Sequence, residues 1–268
     1  MNLVPFLLFL ALTAAKADSY KNDCLNLYPL LYFMKLRFFK KGDNVMDNKS
    51  KGIFDSFTLK MIAIITMVID HIGYIFLDPQ TSQYTIFRGI GRIAFPIFCF
   101  LIVEGFHHTR SHVNYLIRLC IFALISEIPF DLAFRGTLFD WSHQNVFLTL
   151  ALGLASIFCL EEMNNRRIFV IPFVLILGTS YVIHCDYGIG GVLLIIMFYL
   201  TQNSTWMRIV LTVLILYGFW GVSELYGLIA LPLILLYNGK RGPSAKMVFY
   251  WFYPVHLIIL YLLSTLIH

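Results

Sequence analysis

Apolar stretches close to twenty residues long recur along almost the whole chain. A helix needs about 20 apolar residues to cross a bilayer core of about 30 Å. Only 13% of the residues are charged, whereas soluble domains average about 25%. A membrane β-barrel would instead have short segments of alternating hydrophobicity. The sequence therefore predicts an all-α, polytopic transmembrane helical bundle with no separate soluble domain.

About nine hydrophobic segments of spanning quality follow residue 57. They lie near residues 58–77, 89–106, 114–134, 146–160, 168–183, 189–201, 206–220, 222–237 and 247–267. Some of them, such as 189–201, are short, and short segments at membrane depth are typical of broken helices around a cavity.

The first 45 residues differ from the rest. Residues 1–17 are apolar and end in Ala15-Lys16-Ala17, which resembles a signal-peptide cleavage site, but the usual positive n-region is missing. A polar segment that begins at Met46 precedes the first apolar run. We therefore expect residues 1–45 to be a spurious or signal-like extension and residues 46–268 to form a single transmembrane domain. The alternative is a genuine additional N-terminal helix, which mass spectrometry of the native N-terminus would reveal.

The basic residues predict the orientation of the bundle, because cytoplasmic loops carry an excess of Lys and Arg. If the chain starts at Met46 in the cytoplasm, only Arg88, Arg92 and Arg135 face outward. The residues that then lie on the inner side are Lys49, Lys51, Lys60, Arg110, Arg118, Arg166, Arg167, Arg208, Lys240, Arg241 and Lys246. We therefore expect a bacterial inner-membrane protein with a cytoplasmic N-terminus. Its net charge of +5 reflects topology, and no nucleic-acid partner is expected.

Asp70 and His71 lie together in the outer half of the first predicted helix. An ionised carboxylate at the bilayer centre costs roughly 2.5–3.5 kcal/mol on insertion scales, so such residues usually have a partner or a function. The ordinary pKa of histidine, near 6.5, suits His71 to general-base catalysis. Adjacent residues of a helix do not face each other, so we expect Asp70 to pair with Arg92 and an acid from another helix to orient His71.

Further polar side chains fall at a similar depth, which predicts a polar cavity able to transfer protons. Glu127 and Asp131 lie four residues apart on one face of the third segment. The others are Asn145, Asp186, Tyr187 and His256. A purely structural role is the alternative: Arg92 with Asp70 or Asp131 would hold helices together, and His256 would be a satisfied imidazole beside a proline kink. The cysteines have no metal-ligand spacing, so neither a metal site nor a disulfide framework is expected.

Long ordered motifs from about residue 54 to the end resemble the TraX family. They include the run that ends in Asp70-His71-Ile72-Gly73, Gly91-Arg92-Ile93-Ala94-Phe95-Pro96, Ile125-Ser126-Glu127-Ile128-Pro129-Phe130-Asp131, Asn145-Val146-Phe147-Leu148-Thr149, Asp186-Tyr187-Gly188, Asn238-Gly239-Lys240-Arg241-Gly242 and Tyr253-Pro254-Val255-His256. TraX proteins are named for a conjugation protein that N-acetylates pilin, and the family is similar to other multi-pass membrane acyltransferases.

The resemblance implies a transfer of an acetyl group from acetyl-CoA to a peptide or cell-surface glycan acceptor. His71 would act as the base, with Arg92 beside Asp70 holding the thioester or the developing oxyanion. Glu127 and Asp131 would shape the acceptor side, and Arg118, Lys240 and Arg241 would meet the CoA phosphates. The other residues expected to bind substrate or cofactor are Asn145, Asp186, Tyr187 and His256. Two other classes remain open: a proton-coupled transporter, since intramembrane Asp, Glu and His chains also form proton relays, and a non-enzymatic assembly factor for conjugation or secretion.

Overall fold

The computed structural model describes residues 52–163 and 165–267, which are helical almost throughout. The expected extension, residues 1–45, lies outside the described residues. The α-helices are α1 (Ser56–Phe76), α2 (Ser82–Gly91), α3 (Ala94–His108), α4 (His112–Arg135), α5 (Val146–Glu162), α6 (Val170–Val182), α7 (Gly188–Leu200), α8 (Thr205–Trp220), α9 (Ala230–Leu235) and α10 (Lys246–Ile267). Two 3-10 helices, Arg167–Phe169 and Val222–Ile229, lead into α6 and α9.

The predicted all-α membrane bundle is confirmed. Within residues 52–163 and 165–267, three helical stretches are each long and apolar enough to cross a membrane, namely α1, the run Ser82–His108 that joins α2 to α3, and α10. Four shorter apolar stretches, Arg167–Val182, Gly188–Leu200, Thr205–Trp220 and Val222–Leu235, accompany them. With α4 and α5, the described residues make nine helical passes, as many as the hydropathy pattern predicts.

The second pass begins at Ser82, seven residues before the position that hydrophobicity alone suggests. The Thr81 hydroxyl accepts a hydrogen bond from the backbone N–H of Tyr84 at 3.2 Å and so caps a polar first turn. Arg92 and Ile93, between α2 and α3, keep right-handed helical dihedral angles. The hydrogen-bond pattern tightens there, because the N–H of Ile93 donates to Ile90 O at 3.2 Å.

Two helices form the centre of the bundle. Eleven of the fifteen residues of α3 are buried, and Val192, Leu194 and Ile195 of α7 have no exposed surface. The outer helices α1 and α10 instead leave many large apolar side chains exposed, as a lipid-facing surface requires.

Short backbone contacts tie the loops together at each end of the bundle. At one end, the N–H of Phe54 donates to Leu236 O at 3.1 Å, and the N–H of Ser56 donates to Lys240 O at 2.9 Å. At the other end, the N–H of Asp186 donates to Gln144 O at 2.9 Å. The end that contains Ser56 and Lys240 is hereafter the basic end, and the end that contains Gln144 and Asp186 is the opposite end.

Candidate functional site

A cluster of four charged side chains joins three passes near the opposite end. Arg88 Nη1 lies 2.6 Å from Asp70 Oδ2, Arg92 Nη2 lies 3.3 Å from Asp70 Oδ1, and Arg92 Nη1 lies 2.6 Å from Glu224 Oε1. Arg92 Nε also donates to the carbonyl oxygen of Arg88 at 3.2 Å. We call Asp70, Arg88, Arg92 and Glu224 the charged cluster.

The charged cluster contains the expected Asp70–Arg92 pair. The hydrogen bonds of Arg92 also show which of its donors are left for the expected role of holding an oxyanion. All three nitrogens of the Arg92 guanidinium have partners, but these bonds use three of its five N–H donors, so two N–H groups remain that could meet an oxyanion. The structural alternative, in which Arg92 holds helices together, fits these contacts. Arg88 was expected only as an outward-facing charge, yet it makes the shorter of the two ion pairs to Asp70.

His71 and His256 form an imidazole pair between α1 and α10. His71 Nδ1 lies 2.9 Å from His256 Nε2, and the rings are nearly parallel, 7° apart. His256 Nδ1 in turn lies 2.9 Å from the carbonyl oxygen of Phe252. The expectation that an acid orients His71 is therefore wrong: Asp70 is bound by two arginines, and the hydrogen-bond partner of His71 in the described part of the chain is another histidine.

The imidazole pair is packed among aromatic rings. The His71 ring makes edge contacts with Phe134 of α4, at 5.1 Å between centroids, and with Tyr253 of α10, at 6.4 Å. The Phe252 ring stacks on His256 at 5.0 Å. His71 is thus held inside the bundle between α1, α4 and α10.

A cavity of about 200 Å³ opens at the basic end and extends toward the imidazole pair. Met67, Phe252 and Tyr253 line it at its deep end. His71 lies one helical turn beyond Met67, or about 6 Å along the axis, and both Phe252 and Tyr253 contact the pair. The cavity therefore ends one layer of side chains from the imidazoles.

Cations surround the part of the cavity near the basic end. They are Lys60, Arg118, Arg241 and Lys246. Among the described residues, none of these four makes an ion pair with an acidic side chain. The Lys60 ammonium lies over the Phe249 ring at 5.4 Å and the Arg118 guanidinium over the Tyr115 ring at 5.8 Å. We call these four residues the basic mouth.

Two of the three residues expected to bind the CoA phosphates belong to the basic mouth. Arg118 and Arg241 line the cavity as expected, whereas Lys240 does not. Lys60 and Lys246 were expected only to orient the protein in the membrane, yet they line the cavity. Only the three-dimensional approach of α1 and α10 brings these lysines together with Arg118.

The two carboxylates of α4 make hydrogen bonds to the loop that follows and to the start of α5. Asp131, which is fully buried, accepts a hydrogen bond from the N–H of Asp140 at 2.9 Å. Glu127 Oε2 accepts from the N–H of Asn145 at 3.3 Å and from its side-chain amide. The second carboxylate oxygen of each, Glu127 Oε1 and Asp131 Oδ1, is buried without a hydrogen bond to any described residue.

Asn145 caps α5. Its Oδ1 accepts from the N–H of Phe147 at 3.0 Å, and its Nδ2 donates to Ala123 O at 2.8 Å. With Glu127 also bound, every polar atom of this buried side chain has a partner. This arrangement favours a structural role over the substrate-binding role expected from the sequence.

Asp186 and Tyr187 precede α7 and face different partners. Asp186 Oδ1 lies 3.2 Å from His143 Nε2 in the loop before α5, and this hydrogen bond raises the pKa of His143 above its ordinary value. The Tyr187 ring stacks on Phe95 of α3 with an angle of 4° between the ring planes. The backbone N–H of Tyr187 donates to Thr149 Oγ1 at 3.4 Å. His143 is a partner that the sequence motifs do not suggest.

Within the described residues, no group of three or more His, Cys, Asp or Glu side chains has the geometry to hold a metal ion. Glu104 and His108 lie 3.6 Å apart at the edge of the cavity.

Known proteins resemble this chain over most of the described bundle. The family described as TraX protein matches residues 56–264. The probable fimbrial assembly protein FimC, serogroup H1, of Dichelobacter nodosus is 31% identical over 235 residues, which cover 77% of this chain and 94% of that protein. The uncharacterized protein RP591 of Rickettsia prowazekii (strain Madrid E) is 29% identical over 151 residues, 54% of this chain and 55% of that protein. No solved structure matches.

Proposed function

The chain belongs to the TraX family, and we propose that it is an inner-membrane acyltransferase that moves an acetyl group from acetyl-CoA to an acceptor amine or hydroxyl. The observation that carries the proposal is the cavity between the basic mouth and the imidazole pair. One opening thus combines four cations that have no acidic partner among the described residues, a largely apolar interior and a base beyond its deep end.

The basic mouth suits the phosphates of acetyl-CoA. Guanidinium and ammonium groups make strong charge-assisted hydrogen bonds to phosphate oxygens. Lys60 and Arg118 are only partly exposed, and a partly buried cation without an acidic partner among the described residues is stabilised when an anion or water binds it. In our proposal Lys60, Arg118, Arg241 and Lys246 bind the nucleotide part at the cytoplasmic side, and the apolar lining accepts the acyl-bearing arm.

The chemistry is a transfer assisted by a base. His71 accepts the proton of the acceptor N–H or O–H while the acceptor atom bonds to the acetyl carbon. The carbon–sulfur bond then breaks, and the CoA thiolate takes the proton from the imidazolium, so that acetylated acceptor and CoA leave. His71 lies beyond the cavity floor formed by Tyr253 and Phe252, so these rings must move aside to admit the acetyl group.

The acceptor is proposed to approach from the opposite end. The Phe134 ring touches His71, and α4 also carries Glu127 and Asp131, each with a buried oxygen that lacks a hydrogen bond among the described residues. The name of the Dichelobacter relative, a fimbrial assembly protein, supports a pilin-like peptide as acceptor. A cell-surface glycan is the other acceptor that we propose to test.

The test compares cells that produce the wild type, His71→Gln or His112→Gln. His112 stacks on Phe106 near the basic end and does not line the cavity, so His112→Gln is the matched control. Surface peptides and glycans are analysed by mass spectrometry, and CoA release is followed with the purified chain in nanodiscs. We expect an acetylated species that disappears with His71→Gln and persists with His112→Gln. If His71→Gln and the wild type give equal acetylation, His71 is not the base. If cells with and without the gene show no difference in acetylation, the proposed function is refuted.

A non-enzymatic role in assembly is the second candidate, favoured by the name of the same relative. It predicts that His71→Gln leaves fimbrial assembly intact and that no CoA is released. The substitution His71→Gln and the CoA-release assay therefore distinguish the two candidates.

A further inference from the structure

His256 lies one helical turn after Phe252 in α10, and Pro254 stands between them. The His256 ring is buried, and both of its nitrogens lie within hydrogen-bond distance of a partner. One partner is the carbonyl oxygen of Phe252 and the other is His71 Nδ1, each at 2.9 Å. These two contacts determine which ring nitrogens of the imidazole pair carry protons.

A carbonyl oxygen only accepts hydrogen bonds, so His256 Nδ1 carries a proton. A neutral imidazole carries one proton, so His256 Nε2 is then an acceptor. The hydrogen bond between the rings requires that His71 Nδ1 be the donor. With both rings neutral, the lone pair of His71 is therefore on Nε2, the nitrogen for which no described residue supplies a hydrogen bond.

We infer that His256 is a positioning residue that holds His71 in the tautomer with a basic Nε2. The inference rests on the proposed function for its catalytic meaning, because a base must present a lone pair to the acceptor proton. It assigns His256 a role through His71, in place of the substrate contact expected from the motif Tyr253-Pro254-Val255-His256. Once His71 Nε2 takes a proton, the same Nδ1–H bond to His256 becomes charge-assisted and stronger.

Neighbouring groups leave His256 as the partner that fixes the tautomer. Asp70, next to His71 in sequence, is held by Arg88 and Arg92. Phe134 and Tyr253 present ring edges to His71. Of the described residues that pack on this imidazole, His256 is therefore the one that accepts its proton.

The test reads the tautomer directly, by NMR of the full chain labelled with ¹⁵N-histidine in nanodiscs. His112 supplies an internal reference of the other tautomer, because its Nε2 faces the carbonyl oxygen of Phe106 at 3.1 Å. The variant His71→Gln identifies the His71 signals by their loss. We expect a protonated Nδ1 and an unprotonated Nε2 at His71 in the wild type; the Nε2–H form there would overturn the inference.

Two substitutions of His256 separate positioning from packing. His256→Gln keeps an acceptor oxygen at the place of Nε2, whereas His256→Leu removes it at a similar volume. We expect His256→Gln to retain the His71 tautomer and kcat within about tenfold, and His256→Leu to lose the tautomer and about 10²–10³-fold in kcat with an unchanged KM for acetyl-CoA. Equal kcat loss in both variants, with the tautomer retained in both, would overturn the inference.

The NMR signal does not depend on turnover, which keeps the two proposals distinguishable. A wild type with the expected tautomer but no acetyl transfer would refute the proposed function and leave the tautomer assignment standing. A leucine variant that unfolds is recognised by its thermal midpoint, and the tautomer of His71 in the wild type then decides the question.

Discussion

The charged side chains at the two ends of the bundle differ in whether they form ion pairs. At the opposite end, Asp70, Arg88, Arg92 and Glu224 neutralise one another through three ion pairs of 2.6–3.3 Å. At the basic end, the four cations of the basic mouth have no acidic partner among the described residues and surround a cavity. Paired charges hold passes together, whereas unpaired charges beside an open cavity favour an anionic ligand.

The largest expected effect is the loss of the guanidinium at the centre of the charged cluster. Arg92→Leu would leave Asp70 and Glu224 without this cation in a largely buried place. Removal of one partner of a buried ion pair costs about 3–5 kcal/mol. We expect a large fall in the free energy of unfolding, measured by denaturant titration of the purified chain in detergent.

Arg110→Leu is the control for Arg92→Leu, because Arg110 is exposed near the basic end. It should leave stability unchanged. The double variant Arg92→Leu with Glu224→Leu should recover part of the loss, since it removes a carboxylate together with its partner. If the double variant is no more stable than Arg92→Leu alone, the Arg92–Glu224 pair is not the source of the loss.

The next effect concerns the close approach of α2 to α1. Gly91 lies directly against the Asp70 side chain, and a Cβ there would overlap it. Overpacking a filled interior costs about 1–3 kcal/mol, so Gly91→Ala should destabilise the chain by that amount. Gly178→Ala is the matched control, because a Cβ at Gly178 meets no atom within 4 Å, and helical alanine is intrinsically better than glycine. Equal unfolding curves for the two variants would refute a tight α1–α2 contact.

At the basic end the expected effect is on binding, with stability preserved. Arg118→Met removes one cation of the basic mouth while keeping an apolar stem, so we expect KM for acetyl-CoA to rise about tenfold, equivalent to about 1.4 kcal/mol. kcat and the unfolding midpoint should stay the same, and Arg110→Met should change none of the three. An unchanged KM would mean that the basic mouth does not bind the donor.

Hydropathy and motif order predict much of the bundle and part of the site. The apolar segments predict nine passes because membrane helices must satisfy their backbone internally and be long enough to cross. The Asp70–Arg92 pair is accessible from sequence because both residues are charged at membrane depth. The start of the second pass at Ser82 escapes prediction because its first turn is polar and is stabilised by the Thr81 cap.

The remaining contacts depend on helix packing that no local pattern encodes. The hydrogen bond between His71 and His256 joins residues 185 positions apart, and the Arg92–Glu224 pair joins residues 132 apart. Charge counting places Lys60 and Lys246 near one membrane face, but only the packing of α1 and α10 puts them around one cavity. The partner of a buried group therefore has to be seen in three dimensions, even when its depth is predictable.

The smallest expected effect is the pH dependence of the loop contact between His143 and Asp186 at the opposite end. The hydrogen bond to Asp186 raises the pKa of His143, so the protonated form is favoured in the folded protein. Its contribution to stability is full below the ordinary histidine pKa of about 6.5 and is lost as the pH rises through the higher folded value. We expect the thermal midpoint of the wild type to fall slightly over that interval. His143→Asn should remove this part of the pH dependence, whereas His184→Asn, in the adjoining loop, should keep it; an identical pH profile for His143→Asn and the wild type would show that the folded-state ion pair does not form.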